Sequence, residues 1–316
     1  MIEKELPEVE KNVLLKKYTT YKIGGPAKYF FVAKNKEELV EAIKVAKKLK
    51  IPFFVFGGGS NLLISDLGYD GLVIKINISD ISFDKNIVSV GAGVSLSDLS
   101  TKTVEKNLSG LEWVVGIPGA TIGGAIFGHA QAFRKKISEN VKSVQALDVA
   151  NLEIKNFSKE DCLFSLKNSV FKKNKNLIII SAVLEFQEKN PEEIKNNIKE
   201  NLNYRKNNHP TDFPSAGSTF VNPEIIINDK NLLLEFPELN EYNKNKLIPA
   251  GYLISKCGLS GKKIGDAQIS EKHANFILNL GQAKSEDVLS LINLAKKEVK
   301  KIFGIELETE VQFLGF

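Results

Sequence analysis

The sequence predicts a mixed helix-and-strand protein of two or three domains, and three observations carry that expectation. At 316 residues the chain exceeds one average domain and can bury a substantial core. Its first part alternates strand, helix and strand. Two glycine-rich loops, Gly57-Gly58-Gly59-Ser60-Asn61 and Gly116-Ile117-Pro118-Gly119-Ala120-Thr121-Ile122-Gly123-Gly124, stand out from the rest. Glycines cluster where backbone passes close to a ligand or takes positive φ, and consecutive free N–H groups form a concavity that attracts phosphate oxygens. Together the loops read as two jaws on one dinucleotide, whereas either alone reads equally as a tight turn between strands.

The elements follow in order. A strand near Lys28 to Val32 precedes a helix over Asn35 to Lys50, where Asn35 caps, Glu38 takes the reciprocal capping-box position, and Leu39, Ala42, Ile43, Ala46 and Leu49 form one apolar stripe. The strand Pro52 to Phe56 leads into the first glycine loop, and Asn61 to Ile64 reads as strand again. Strands near Gly71 to Ile76 and Ile87 to Val90 precede a helix near Leu96 to Lys106, which leads through Trp113 into the second loop. Further strands are expected at Val141 to Asp148, Glu153 to Phe157 and Leu177 to Phe186. Asn190 caps a helix with Pro191 at its first position and Ile194, Ile198 and Leu202 on one face. After an Asn-His-Pro turn at Asn208 to Pro210 come a short helix, Ala250 to Cys257, ended by Gly258, and a long one, Ser285 to Phe303. A final strand is expected over Glu306 to Phe313.

Neither glycine loop has one of the two commonest phosphate signatures. A Walker loop ends in Gly-Lys-Ser/Thr, but Gly59 is followed by Ser60 and Asn61; a Rossmann loop opens a helix, whereas Asn61 to Ile64 reads as strand. Composition narrows the class further. Apolar content of 43% and charged content of 26% are ordinary for a soluble protein, and a net charge of +5 spread over amphipathic helices is a solvated surface, which argues against nucleic acid as a partner. Cys162 and Cys257 form neither a disulfide scaffold nor a metal spacing, and His129, His209 and His273 lack the partners of a zinc site, so no metal is expected. With no secretory signal at the start and no apolar run long enough to span a bilayer, a cytoplasmic protein without a membrane or an obligate protein partner is expected.

Joined to Pro214-Ser215-Ala216-Gly217-Ser218-Thr219-Phe220-Val221-Asn222-Pro223, the glycine loops bring the chain to resemble the MurB family of UDP-N-acetylenolpyruvoylglucosamine reductases. The likeness continues through Ile23-Gly24-Gly25-Pro26-Ala27, Ala250-Gly251-Tyr252-Leu253-Ile254, Ile264-Gly265-Asp266-Ala267-Gln268, Lys272-His273-Ala274-Asn275-Phe276 and Glu310-Val311-Gln312-Phe313-Leu314-Gly315. It covers nearly the whole chain in order. The resemblance implies an α+β fold: a two-lobed FAD-binding domain of the PCMH/VAO-like kind over residues 1–82 and 83–210, then an α+β domain for a UDP-sugar over 211–316, with the last strand able to return to the FAD lobes. No long insertion separates Phe171 from the Leu177 strand, as in the family class that lacks a tyrosine-bearing lid loop.

The same resemblance implies noncovalent FAD, NADPH as hydride donor, and reduction of an enolpyruvyl ether to a lactyl ether in peptidoglycan precursor synthesis. By position, Gly57, Gly58, Gly59, Ser60 and Asn61, and Ile117, Pro118, Gly119, Ile122, Gly123 and Gly124, would hold the FAD, supported by Ile23, Gly24 and Gly25. Hydride addition to the terminal carbon leaves an enolate that the site must stabilise and then protonate. Ser218 matches the proton donor, although a serine between glycine and proline is also a common backbone-bonded turn residue. Glu310 matches the acidic partner at the substrate carboxylate and must then be protonated or cation-paired, since two close carboxylates cannot both stay charged cheaply. Asn222 would contact the substrate's nucleotide, or serve an Asn-Pro turn; His273 is placed near the substrate lobe.

Two segments depart from the family. Phe164-Ser165-Leu166-Lys167-Asn168-Ser169 puts Lys167 where the family's Tyr-Arg-x-Ser motif has its catalytic arginine, and lysine lacks the planar two-pronged contact with a carboxylate. Gly128-His129-Ala130-Gln131-Ala132-Phe133-Arg134 stands where the family prefers Asn-Ala-Gly-Ala-Tyr-Gly after the glycine. Three readings stay open here: Lys167 supplies the cation, Arg134 compensates, or the chain is a degenerate, noncatalytic FAD-binding or sensing module.

Overall fold

The computed structural model describes residues 2–316, and the chain divides into two compact units. The first holds the chain up to Leu14, Pro26–Gly59 and Gly68–Arg205; the second holds Leu15–Gly25, Ser60–Leu67 and Lys206–Phe316.

In the first unit a four-stranded sheet runs in the order Glu10–Leu14, Pro26–Ala33, Tyr69–Ile76, Phe53–Phe56, its first pair antiparallel and the others parallel. Parallel pairing of Pro26–Ala33 and Phe53–Phe56 with the strand between them requires a crossover, and the helix Lys36–Lys48 supplies it. Asn35 Oδ1 accepts the Glu38 N–H at 2.8 Å, while the Glu38 carboxylate reaches back to the Lys34 N–H at 2.7 Å, one residue earlier than the capping box expects. Leu39, Ala42, Ile43 and Ala46 are fully buried beneath this helix.

A five-stranded antiparallel sheet follows, ordered Glu153–Ser158, Val141–Asp148, Leu177–Glu185, Ile87–Gly91, Ile81–Asp84. Leu177–Glu185 is its centre, which explains the near-continuous apolar run in the sequence. Two edge strands, Glu10–Leu14 and Ile81–Asp84, have no counterpart in the expected elements. Glu10–Leu14 is almost wholly exposed and shows no period, while Ile81–Asp84 alternates apolar and polar residues over only four positions, too short a run to stand out. The helix Pro191–Asn208 forms as expected, with Asn190 Oδ1 accepting the Glu192 N–H at 2.9 Å, but its apolar face fades: Ile194 is buried while Leu202 is 44% exposed.

The second unit packs the helix Ser285–Phe303 against a meander of Lys263–Ile264, Ala267–Ile269 and Ile277–Asn279. Val288, Leu291, Ile292, Ala295 and Val299 face inward, and Gly304 at φ +70° ends the helix in the left-handed conformation that glycine adopts without strain. Residues 224–245 fold as two short helices, Lys230–Glu235 and Leu239–Lys244, which place Phe236 and Leu239 in the unit's core. The final strand is shorter than expected. Only Gln312–Leu314 is ladder-paired, in parallel with Leu62–Ile64; the preceding residues alternate buried Ile305 and Leu307 with exposed Glu306 and Glu308, a strand-like pattern with only the Thr309–Phe220 bridge as pairing. Among the described residues no helix is long and apolar enough to cross a membrane, and no cluster of metal-ligating side chains forms.

Candidate active site

In the first unit the two glycine loops meet. A Cβ on Gly58 would lie 1.6 Å from the Gly119 carbonyl oxygen, and one on Gly57 would lie 2.4 Å from Thr121 Oγ1. Gly58 is therefore glycine because backbone packs directly on backbone, a reason the sequence does not reveal. The backbone N–H groups of Gly57, Gly58 and Gly59 find no protein acceptor among the described residues, and neither do those of Ser60 and Asn61 after them. Gly59 takes φ +66°. This run of unclaimed donors on a side-chain-free loop fits the pyrophosphate of a dinucleotide such as FAD.

The second loop divides into two parts. Thr121 caps the short helix Ile122–Phe127 by accepting the Gly124 N–H at 3.4 Å, while the Ile122 and Gly123 N–H groups donate to the Val94 and Ala92 carbonyls, each at 2.9 Å. Gly123 is close-packed as well, since a Cβ there would sit 2.9 Å from Ala92 Cβ. Ile122, Gly123 and Gly124 thus fasten the loop with N–H groups already engaged. Among the described residues the loop's unclaimed N–H groups lie earlier, at Gly116 and at Gly119, Ala120 and Thr121, beside Ile117 and Pro118.

Lys167 occupies a tight turn in the same unit. Ser165 and Asn168 exchange two backbone hydrogen bonds, 3.1 and 3.2 Å, and Lys167 sits between them at φ +51°. Its carbonyl accepts from Lys172 Nζ at 2.9 Å. Ser169 caps the turn of helix Val170–Lys173 and donates from Oγ to the Phe127 carbonyl at 2.8 Å, tying this segment to the end of the second glycine loop. Arg134, the alternative cation, is exposed at φ +61° on a hairpin.

The second unit assembles the other expected residues. Gly217, at φ +74° with open space around its absent Cβ, turns the chain so that Ser218 is presented, and Thr219 is then gripped: its N–H donates to the Asn275 carbonyl at 2.7 Å. The Asn275 side chain, 3% exposed, accepts the Phe220 N–H and donates to the Phe220 carbonyl, both at 2.9 Å. The Glu310 N–H donates to the Thr219 carbonyl at 2.8 Å, which brings Glu310 alongside the serine loop. Asn61 reaches the same point from the first glycine loop, its Nδ2 donating to the Glu310 carbonyl at 3.0 Å. Thr20 Oγ1 donates to the Ser215 carbonyl at 2.8 Å. Among the described residues the Ser218 hydroxyl has no protein partner, so the backbone-bonded turn serine is not what the fold contains.

Ile23 is buried, and a Cβ on Gly24, at φ +140°, would collide with Ile64 Cβ at 2.9 Å. The Gly25 N–H donates to the Ser65 carbonyl. These residues brace the strand that leaves the first glycine loop. Asn222 Oδ1 accepts the Ala250 N–H at 2.9 Å and so caps the helix Ala250–Lys256, whose Pro249 has no side-chain donor or acceptor to do so. His273 Nδ1 accepts the Asn275 N–H at 3.3 Å, its ring packs on Phe276, and burial holds its pKa below the ordinary imidazole value. Asn275 and Thr20 are the residues whose part the sequence did not announce. Asn275 lies in a motif shared with the family, without a role there; Thr20, in a run of tyrosines and threonines, carried no signal.

A family model described as an FAD binding domain matches residues 27–158, and one described as the C-terminal domain of UDP-N-acetylenolpyruvoylglucosamine reductase matches residues 209–314. The UDP-N-acetylenolpyruvoylglucosamine reductase of Anoxybacillus flavithermus is 37% identical over 317 residues, an alignment that takes in 100% of this chain and 97% of that protein. The chain belongs to the UDP-N-acetylenolpyruvoylglucosamine reductase family. The reductase of Caldicellulosiruptor bescii is 39% identical over 304 residues, 95% of this chain and 89% of that protein. The crystal structure of the reductase, MurB, from Thermus caldophilus aligns with a TM-score of 0.76 at 32% identity, over 97% of this chain and 98% of that one. The chain is accordingly an FAD-dependent oxidoreductase of the MurB family, with an FAD-binding domain before a C-terminal reductase domain, as the resemblance implied.

Proposed function

We propose that the chain reduces UDP-N-acetylglucosamine enolpyruvate to UDP-N-acetylmuramate, with Ser218 as proton donor, Lys167 as the cation at the developing enolate and Glu310 as a hydrogen-bonding partner of the substrate carboxylate. The observation that carries the reading is Ser218 itself, held by neighbours on both sides while its hydroxyl makes no bond to the protein among the described residues. FAD, when bound, would supply the hydride chemistry between NADPH and the terminal carbon of the enolpyruvyl group. The chain's own work is to hold that group, spread the charge left on the neighbouring carbon, and deliver a proton to it.

Ser218 Oγ–H serves the last step. A serine is a weak acid, but an enolate carbon is basic enough to take its proton when the geometry is fixed, and general acid catalysis contributes on the order of 10²–10⁴-fold. Clamping Thr219 and Phe220 through Asn275 fixes the backbone on which that geometry depends. Cofactor binding falls to Gly57 to Asn61 and to Ile117, Pro118 and Gly119, with Ile122 to Gly124 and Ile23 to Gly25 supporting them. Asn222 retains an amide nitrogen for the substrate's nucleotide while its oxygen caps a helix. His273 backs the serine loop through Asn275. Residues 1–82 and 83–210 are assigned to the two FAD-binding lobes and 211–316 to the UDP-sugar domain, with Leu15–Gly25 and Ser60–Leu67 belonging to the latter's compact unit. The enzyme works in the cytoplasm on a soluble nucleotide sugar, with no need of membrane, nucleic acid or a protein partner.

The test is direct. Purified protein should carry FAD that acid or heat releases, should turn over NADPH beyond one equivalent per flavin under anaerobic conditions only when the enolpyruvyl nucleotide is present, and should yield a product heavier by two hydrogens. FAD-loaded protein that leaves the substrate unchanged would overturn the proposal and favour a noncatalytic module.

A further inference from the structure

We propose that His129 is a positioning residue for Lys167, holding the turn that carries the lysine by a hydrogen bond from Nδ1 to the Ser165 carbonyl. The inference rests on the reading of Lys167 as the site's cation and says what aims it. His129 is 4% exposed, with Nδ1 2.5 Å from the Ser165 oxygen, Nε2 2.8 Å from Ser138 Oγ, and its ring stacked on Phe164 at 4.8 Å. A carbonyl only accepts, so Nδ1 carries the hydrogen, and the neutral ring accepts from the Ser138 hydroxyl at Nε2. Burial keeps the ring in that neutral form.

The Ser165 carbonyl is also the acceptor for the Asn168 N–H that closes the Lys167 turn. A carbonyl oxygen has two lone pairs, and here one serves the turn and the other His129. With Ser169 tied to the Phe127 carbonyl, the turn is pinned at both ends to the segment that follows the second glycine loop.

The residue type follows from the backbone. His129 lies at φ +46°, a conformation in which asparagine, aspartate and histidine are enriched among residues with a Cβ. Of these, histidine and asparagine can offer an N–H three bonds beyond Cα, at Nδ1 and Nδ2. The family's preferred asparagine at this point and the histidine found here therefore present the same donor to the same carbonyl. Glutamine places its amide one bond further out, where Oε1 can accept from Ser138 as the ring Nε2 does but the amide Nε2 cannot stand in for Nδ1 toward Ser165.

That difference supplies the experiment. FAD-loaded His129→Asn, His129→Gln and Lys167→Met, and the double variant His129→Gln with Lys167→Met, would be compared with wild type. The readouts are amide hydrogen exchange at Asn168, the rate at which reduced protein is reoxidised by UDP-N-acetylglucosamine enolpyruvate, and the rate of reduction by NADPH. His129→Asn should stay within about threefold of wild type in all three, and loss of one charge-free hydrogen bond in His129→Gln should speed exchange and slow reoxidation by about tenfold, with reduction by NADPH unchanged. In the Lys167→Met background His129→Gln should add no further slowing. Wild-type exchange and reoxidation in His129→Gln, or equal slowing in both backgrounds, would overturn the proposal. Wild-type reoxidation in Lys167→Met would instead overturn the reading of Lys167, and exchange at Asn168 would still decide whether His129 holds the turn.

Discussion

Ser218 is placed by residues on either side of it, and the strongest of these is Asn275. Its side chain satisfies both the N–H and the carbonyl of buried Phe220, so Asn275→Ala would strand two polar groups, each costing about 1–3 kcal/mol. A urea melt should show a loss of at least about 2 kcal/mol with reduced turnover, and unchanged stability would show that the serine loop holds itself. Lys167→Met, which keeps the length, should lower turnover about a hundredfold, the scale of one lost oxyanion donor, while Lys167→Arg holds or raises it. Near-neutral effects of both on steady-state turnover would mark a solvated lysine and turn attention to Arg134. Protonation gives a further handle. Burial depresses His129 and His273 below 6.5, so both stay neutral in the fold while the unfolded chain protonates near that value. Their contribution to stability is complete above pH 6.5 and is lost as pH falls through the lower folded values. Melting temperature should thus drop as pH is lowered past 6.5, and less so in His129→Asn; identical slopes would remove His129 from the linkage. Motifs single out Ser218, Glu310 and Lys167 as candidates in the sequence. Asn275 and Thr20 were not legible there, since their work is hydrogen bonding to distant backbone, which leaves no local pattern.

At the scale of elements, the glycine loops illustrate what a sequence conveys and what it hides. It shows where glycine is needed, but not that Gly58 is glycine because Gly119 lies against it. Even Gly58→Ala therefore brings a Cβ into a backbone oxygen with no flexible neighbour to give way, and the two loops must separate. The variant should lose FAD on gel filtration while Gly124→Ala, where the nearest atom is 3.4 Å from the added Cβ, keeps it. Retention of FAD by Gly58→Ala would show that the contact between the loops is dispensable. The helices Lys36–Lys48 and Ser285–Phe303 were readable because each carries an unbroken apolar stripe, joined in the first by the Asn35 cap. Edge strands, and the run before Gln312 with its single bridge, were not, because Glu10–Leu14 lacks a period, Ile81–Asp84 is too short for its alternation to stand out, and an extended segment with alternating burial resembles a strand whether or not a full ladder is present.

At the scale of the whole molecule, the chain passes repeatedly between its two units. Leu15–Gly25 and Ser60–Leu67 belong to the second unit although they interrupt the first in sequence, and Leu62–Ile64 gives the last strand its partner. No linker composition marks these passages. A fragment of residues 206–316 would lack that strand and the Thr20 bond to Ser215, so it should melt without a cooperative transition, whereas a fragment as stable as the full chain would show that the inserted segments are not needed. The central claim, that a flavin reductase ends its cycle with a proton from Ser218, is tested most directly by anaerobic stopped-flow. FAD-loaded wild type and Ser218→Ala would each be reduced with NADPH and then mixed with the enolpyruvyl nucleotide. Both should reduce at similar rates, wild type should reoxidise rapidly, and Ser218→Ala should lag by about 10²-fold or more; equal reoxidation of the two, or none in wild type, would contradict it.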